Sequence, residues 1–418
     1  MSAVMERLLL IGVILAFISG TECDRKVTTS IKHGCYNNTE DACGSYGYIE
    51  AVGEQDTLHY LVSTLGLPTI FVAYTDKDVT AQVDLDKLLS PNVTERQDTV
   101  TFTPSSGVKY SYSMAFTKLI DYNDTKDKAD MTQYSPSTTA YNVYDLGDFM
   151  WKNISVTSTP ENNVIVFEAA PSNNYDDLWL SNGTFSIQLT AFSKSGREDN
   201  LPHLQYNENL TQFDLNIDHL YTNLSKSRFA VEIALIGDNA KQMHVDETRS
   251  IDDEYTPGVF TIYNWLTDEG DDKGFLQWKP VCYKSLQRSR AEATGMKHYG
   301  MRLSTDIDPY MNTLVYGYYG DNLINTMINV GNFSFGLSQD GGYNKTQVLT
   351  WSGSIGYGVP PADAISKLVI IIISAGLGLP VVLIIFGGIF VCIKKRNQPV
   401  EKPLRSIQGQ GYQPLPEN

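Results

Sequence analysis

An apolar run of 26 residues at positions 368–393 constrains this chain more than any other feature. As a helix rising about 1.5 Å per residue it reaches roughly 39 Å, enough to cross a bilayer with some tilt. The sequence therefore predicts one transmembrane helix over 368–393. Lys394, Lys395 and Arg396 follow it directly while Asp363 precedes it, so the base-rich end belongs in the cytoplasm and the large N-terminal part on the lumenal or extracellular side. A second apolar run, residues 8–18, is too short to span and precedes Ser19, Gly20 and Thr21, so residues 1–21 read as a signal peptide. The topology expected is type I, single-pass, with a tail at 394–418.

The charge balance fits that placement. The chain carries a net charge of -16, although its tail is basic, so the acidity lies before the membrane. Such a surface repels phosphate backbones and argues against nucleic acid as a partner. Nine Asn-X-Ser/Thr sequons begin at Asn37, Asn92, Asn123, Asn153, Asn182, Asn209, Asn223, Asn332 and Asn344. Chance predicts about four from the residue content, and none falls in the tail, which points to a heavily N-glycosylated ectodomain. Cys23, Cys35, Cys43 and Cys282 share the oxidising side, an even number that allows three pairings. The spacing suggests one local bridge in the N-terminal segment and a second tying that segment to Cys282. Zinc is disfavoured, because there is no CxxC and His33 is the one nearby imidazole. Cys392 sits at the cytoplasmic edge of the helix.

Between signal and span the pattern has mostly period two. Residues 110–116, 164–167, 184–192, 229–236 and 347–355 alternate or are rich in β-branched and aromatic residues, and Gly, Pro, Asn and Asp clusters separate them. The fold class expected is an all-β ectodomain of two packed sandwich-like units, 22–200 and 201–367, plus the membrane helix. The polar stretch 195–209 is the expected boundary; its alternative is a long hairpin within one large β unit. Residues 285–293 are the one candidate for a short helix. With about ten residues between the last strand and the span, including Pro360 and Pro361, the ectodomain is expected to sit close to the bilayer.

No constellation of catalytic type emerges. The six histidines (His33, His59, His203, His219, His244, His298) form no HExxH. Residues 331–336, Gly-Asn-Phe-Ser-Phe-Gly, superficially resemble a nucleophile elbow but have one residue too many before Ser334, which also completes the Asn332 sequon. Gly353-Ser-Ile-Gly356 lacks the glycine two before its serine. Asp214-Leu-Asn-Ile-Asp218 has three EF-hand ligand positions, but His219 stands where glycine is needed and Ser225 where glutamate is needed, so a strand with polar outward residues is expected. The acidic 268–272 segment reads as a solvated turn, and the three carboxylates of Ser250-Ile-Asp-Asp-Glu-Tyr255 as a turn or contact surface. No enzyme activity, cofactor or metal is expected.

In the tail, Tyr412-Gln-Pro-Leu415 has the form tyrosine, two residues, bulky hydrophobe, a segment that binds extended along an adaptor edge with Tyr412 and Leu415 in separate pockets. A sorting motif read by a clathrin adaptor is expected there.

These features converge on a resemblance. Residues 57–66, 144–155, 250–260 (opening Ser-Ile-Asp-Asp-Glu-Tyr), 277–283 (Gln-Trp-Lys-Pro) and 351–361 resemble segments of the glycosylated lysosomal membrane protein family, in the same order and over nearly the whole ectodomain and span. The N-terminal Cys35/Cys43 segment departs from the family pattern, and the tail is longer, so the Tyr412 motif matches in type and not in spacing from the membrane. The resemblance implies a non-enzymatic lysosomal accessory subunit that pairs, as a heterodimer, with a multi-pass major facilitator superfamily transporter exporting dipeptides, and shields it from lumenal proteases. At a lumenal pH of about 4.5 to 5 the carboxylates would be partly protonated, easing the acidity. In the span, Ser374, Gly376, Gly378, Gly387 and Gly388 allow close approach of another helix. The alternative from another class is a surface adhesion or ligand receptor; a lumenal hydrolase is disfavoured for want of a nucleophile or metal constellation.

Overall fold

The computed structural model describes residues 25–39, 43–135, 137, 139–159, 162–172, 174–237, 242–249, 261–362 and 367–397. The signal peptide, Cys23, the 250–260 block and the tail motif at Tyr412 and Leu415 lie outside them. Contacts divide the chain into two units, 1–364 and 365–418.

Nearly all the regular structure of the first unit is antiparallel strand. One sheet, here the front sheet, runs Lys26–Cys35, Cys43–Val52, Asp56–Ser63, Thr69–Asp76, Val108–Asn123, Ser227–Gly237 and Met327–Phe335, with Tyr141–Asp145 beside the second half of Val108–Asn123 and Arg302–Ser304 on the last edge. The back sheet runs Met150–Ser158, Asn162–Ala170, Thr184–Phe192, Leu210–Asp218, Val348–Tyr357, Gly274–Trp278, Thr261–Leu266 and His244–Arg249. Two short strands, Val281–Tyr283 and Ala293–His298, pair with each other and bridge the back sheet to the front.

The sheets pack face to face over one core. Inward residues of both belong to a single apolar cluster, including Ile49, Tyr60, Phe116 and Phe333 from the front and Ile165, Phe185, Phe213 and Trp351 from the back. Phe116 meets Phe213 edge-on at 5.6 Å between ring centroids, and Trp265 and Trp351 flank Phe333 at 4.8 and 5.1 Å. Aromatic rings so buried dominate core energetics. The period-two segments behave as their pattern demands: Asn162–Ala170 alternates buried and half-buried residues without a break.

The expected division into units 22–200 and 201–367 does not occur. Strands from both halves interleave: Thr184–Phe192 pairs with Leu210–Asp218, and Val108–Asn123 with Ser227–Gly237. The alternative holds instead, because residues 195–209 form the tip of a long hairpin, closed by pairing of Gly196–Arg197 with Gln205–Tyr206 and pinned by the buried Leu204 and by Leu201, which packs on Val281 and Tyr283. The expected helix over 285–293 shrinks to a single 3₁₀ turn, Arg290–Glu292. Arg288, at φ +46°, turns out of helical geometry so that its guanidinium reaches Asp214 and Ser352 Oγ.

Among its described residues the second unit holds one helix, Lys367–Arg396, 30 residues long or about 45 Å. Pro380 lies inside it, and Lys394, Lys395 and Arg396 fill its last turn, where positive charge suits the helix dipole. Its apolar side chains from Val381 to Ile393 are mostly exposed, Ile384 at 74%. Among the described residues no helix is long and apolar enough to cross a membrane.

Candidate functional site

The sandwich has two ends of different chemistry. Its exit end is where Val348–Tyr357 finishes; Gly358 N donates to Lys273 O, and Gln277 Nε2 donates to Pro361 O beyond it. The same end holds the pairs Asp56 with Asp76, Thr75 with Val108, and Leu210 with Gly356. Across the two sheets Tyr74 stacks on Tyr357 at 4.1 Å, and the Tyr60 hydroxyl donates to Asn209 O at 2.8 Å. Arg25, almost fully buried, donates to Asn209 Oδ1 and to the Asp56 carboxylate.

The far end holds the pairs Cys35 with Cys43, Ser63 with Thr69, Asn123 with Ser227, and Asp218 with both Thr184 and Val348. At its centre the Arg228 guanidinium, 2% exposed, is ringed by Asp124, Asp127 and Asp340. Burial opposes ionisation of Asp340, but the Arg228 hydrogen bond and the N–H groups of Leu337 and Gly342 win and hold its carboxyl at about 2. Asp124 is held low in the same way. Gly336, at φ +110°, belongs to this device, because a Cβ there would fall on Arg228 Nη1. Beside it Asp121, fully buried, accepts from Ser227 and Thr222 hydroxyls, and burial raises its carboxyl.

Seven of the nine sequon asparagines gather toward this far end. Asn37 follows the Cys35–Cys43 bridge, Asn182 precedes Thr184 at φ +58°, and Asn223 faces Asn142 beside the start of Ser227–Gly237. Asn123 ends its strand and accepts from Lys226 N; Asn344 accepts from Ser227 N. Asn92 lies near Ser90, whose carbonyl accepts from Arg96, which also reaches Asn312 beside the Gly66 turn. Asn153, by register opposite Glu168, is two rows from the strand end at Ala170. Of these, Asn37, Asn92, Asn182, Asn223 and Asn344 are exposed. Asn332 sits at mid-strand opposite Glu232, and Asn209 alone lies at the exit end, half-buried.

The cysteines resolve in part as expected. Cys35 and Cys43 form the local bridge. The expected tie to Cys282 is absent: Cys282 is a free, fully buried thiol in Val281–Tyr283, with Sγ 3.2 Å from Gly295 O, and burial pushes it up to about 12. A strand in the middle of the core cannot present a thiol to an edge hairpin.

The chemistry-bearing motifs fall on structural positions. Ser334 and Ser354 are buried strand residues, and Gly331 is needed where a Cβ would lie 2.3 Å from Gly300 O. Asp214, Asn216 and Asp218 are the half-buried outward residues of a strand, as their alternation predicts. The 268–272 segment is the turn between Thr261–Leu266 and Gly274–Trp278, and Asp272 accepts from the Tyr357 hydroxyl. Among the described residues no group of three or more His, Cys, Asp or Glu could hold a metal. Sequence reasoning missed His59: it is fully buried, between the Tyr48 hydroxyl at 2.7 Å and Thr75 Oγ1 at 3.0 Å, and burial lowers it to about 4. From Thr57 on, the strand Asp56–Ser63 is buried on both faces, so alternation carried no signal for His59.

Residues 45–398 match the family described as glycosylated lysosomal membrane protein. The chain is 31% identical over 374 residues to the glycosylated lysosomal membrane protein of Danio rerio, covering 88% of this chain and 86% of the relative. It is 30% identical over 411 residues to glycosylated lysosomal membrane protein B of Xenopus laevis, covering 95% and 98%. The Homo sapiens relative of the same name is 29% identical over 351 residues, 84% of each chain.

Proposed function

We propose that this chain, which belongs to the glycosylated lysosomal membrane protein family, is a non-enzymatic accessory subunit that stabilises a multi-pass major facilitator superfamily transporter of dipeptides and shields it from lumenal proteolysis. The helix Lys367–Arg396 is read as its single span: the sequence gives 26 apolar residues between Lys367 and Lys394, about 39 Å, and the terminal bases put that end in the cytoplasm. The β unit is then lumenal, and Tyr412 and Leu415 address the chain to the lysosome through a clathrin adaptor.

The observation that carries the reading is the division of the sandwich into a sequon-rich far end and an exit end with one half-buried sequon. Glycans on the former are bulky and keep proteases from backbone, while the latter is left for a protein partner. The charge clamp at Arg228 fits the same setting, since the Asp340 carboxylate, held at about 2, stays ionised in an acidic lumen.

The test is immunopurification of the full-length protein from lysosomes in mild detergent, with mass spectrometry of co-purifying multi-pass proteins, and the half-life of the recovered transporter in cells lacking this chain. Near-stoichiometric recovery of one such transporter and a severalfold shorter half-life are expected. Recovery of the chain without any multi-pass protein, or an unchanged half-life, would overturn the accessory role.

A further inference from the structure

Residues 220–224 leave the strand Leu210–Asp218 without regular structure, yet their side chains alternate as a strand's do. Leu220 and Leu224 are buried, and Thr222 between them donates from Oγ1 to the buried Asp121 carboxylate at 2.6 Å and accepts from Leu224 N at 3.1 Å. Tyr221 and Asn223 therefore face outward, and both are exposed, Tyr221 at 40%. Tyr221 N donates to Leu178 O at 2.7 Å, which ties the segment to the 3₁₀ turn Asp176–Trp179.

Segment and turn border a cleft of about 350 Å³, at the low end of the range of ligand sites. Tyr221 and Asn223 line it, with Tyr144 and Tyr175 packed edge-on at 5.3 Å and the exposed carboxylates of Asp176 and Asp177. Asn142, also in the lining, donates from Nδ2 to Asn223 Oδ1 at 3.4 Å. This is a lining suited to carbohydrate: a pyranose ring has apolar C–H faces for aromatic rings to cover and a rim of hydroxyls that carboxylates and amides accept from. Asn223 opens one of the nine sequons. Only Asn153 and Asn223 among them have an aromatic residue two positions before. Trp151 is packed against Phe149 and Phe185, whereas Tyr221 is open to the cleft.

We propose that the first sugar of an N-glycan on Asn223 seats in this cleft, against the Tyr221 ring and with Asp176 and Asp177 as acceptors for its hydroxyls. The glycan is then a packed part of the fold at its base. N-glycosylation replaces one hydrogen of Nδ2 with the sugar's first carbon, so Oδ1 still accepts from Asn142. The tether decides the occupant. A sugar fixed to the lining is present at an effective concentration of about millimolar or more, so contacts too weak to hold a free sugar or to recruit one from solution suffice. The inference rests on the lumenal placement of the β unit in the reading above and not on the accessory role.

The test uses the full-length glycosylated protein in detergent, folded, incubated with peptide-N-glycosidase in heavy-oxygen water. The enzyme hydrolyses the bond between amide and sugar and turns asparagine into labelled aspartate, so mass spectrometry of peptides gives a release rate at each sequon. Release at Asn223 is expected to be about tenfold slower than at the exposed Asn37, Asn92 and Asn182. Tyr221→Ala should bring Asn223 to the rate of those sites without changing theirs or the unfolding temperature, and Tyr221→Phe, which keeps the ring, should retain the slow release. Release at Asn223 as fast as elsewhere in the wild type, or slow release that survives Tyr221→Ala, would overturn the proposal. A bare Asn223 beside glycosylated neighbours would overturn it and leave the lumenal placement standing; bare asparagines at every sequon would overturn both.

Discussion

The two ends of the sandwich are held together by opposite means. At the far end a buried guanidinium gathers three carboxylates, and the chain around it carries seven sequons. At the exit end tyrosines stack, hydroxyls donate to carbonyls, and the ion pair of Arg25 with Asp56 is partly exposed on the Asp56 side. On the proposed function the difference has a use: carboxylates held low by charge pairing resist acid, sugars at the sequons would resist proteases, and neither would be needed on a face that another protein covers.

The largest effect expected is from removing the clamp. Arg228→Met leaves Asp124, Asp127 and Asp340 uncompensated in a buried site, which costs about 3–5 kcal/mol. Arg25→Met at the exit end removes charge-assisted bonds from a pair that is partly exposed on the Asp56 side and costs about 2 kcal/mol. Denaturant unfolding of the full-length protein in detergent measures both. Equal losses would break the comparison.

Acid should separate the regions next. His59, in the front sheet with its ring against Phe102, has a folded value of about 4 against about 6.5 unfolded, so the unfolded chain binds its proton first. Stability from this group is present above pH 6.5 and lost as pH falls toward 4, about 2 kcal/mol between pH 7 and 5. Asp340 is lowered to about 2, so its contribution is present above about pH 4 and lost only between there and 2. His59→Gln should therefore flatten the pH 7 to 5 slope, and Asp340→Asn should leave that slope intact while removing the fall below pH 4. A His59→Gln slope equal to wild type would show that the acid response lies elsewhere.

Much of this frame is legible in sequence because period two is a local property. The strand at 184–192 and the outward Asp214, Asn216 and Asp218 follow from alternation, and the strand at 229–236, buried throughout, from its run of apolar and β-branched residues. What alternation cannot give is which strand lies beside which. Nothing local says that Ser227–Gly237 inserts between Val108–Asn123 and Met327–Phe335, so the single sandwich was read as two. The same limit applies to the site. Nine sequons are visible as text, but their gathering at one end depends on registers spanning hundreds of residues, as does the meeting of Arg228 with Asp124 and Asp340. Cys282 was assigned a partner because even counts suggest pairs; its burial depends on the bridging strand.

Sugar removal sharpens the comparison with a smaller effect. Thr346→Ala deletes the Asn344 sequon while keeping the asparagine and its bonds to Ser227 N and Leu224 O. Cleavage of the native protein by lysosomal proteases should accelerate severalfold, with no change in unfolding free energy beyond about 1 kcal/mol. Thr211→Ala deletes the Asn209 sequon at the exit end and should leave the cleavage rate near wild type. If the two variants are cleaved alike, the far end has no special protective role.

The smallest effect concerns the strand pair that joins the two sheets. Cys282 lies there, fully buried and pushed up to about 12, so almost no thiolate exists at neutral pH and no reagent reaches it. Cys392, in the helix, is exposed. Maleimide should label Cys392 in the native full-length protein and Cys282 only in denaturant, while Cys282→Ala should cost about 1 kcal/mol for a small core truncation. Native labelling of Cys282 would mean that Val281–Tyr283 and Ala293–His298 open while the sheets remain folded. The two ends would then be able to move independently, and the far end's resistance to acid would protect only the far end.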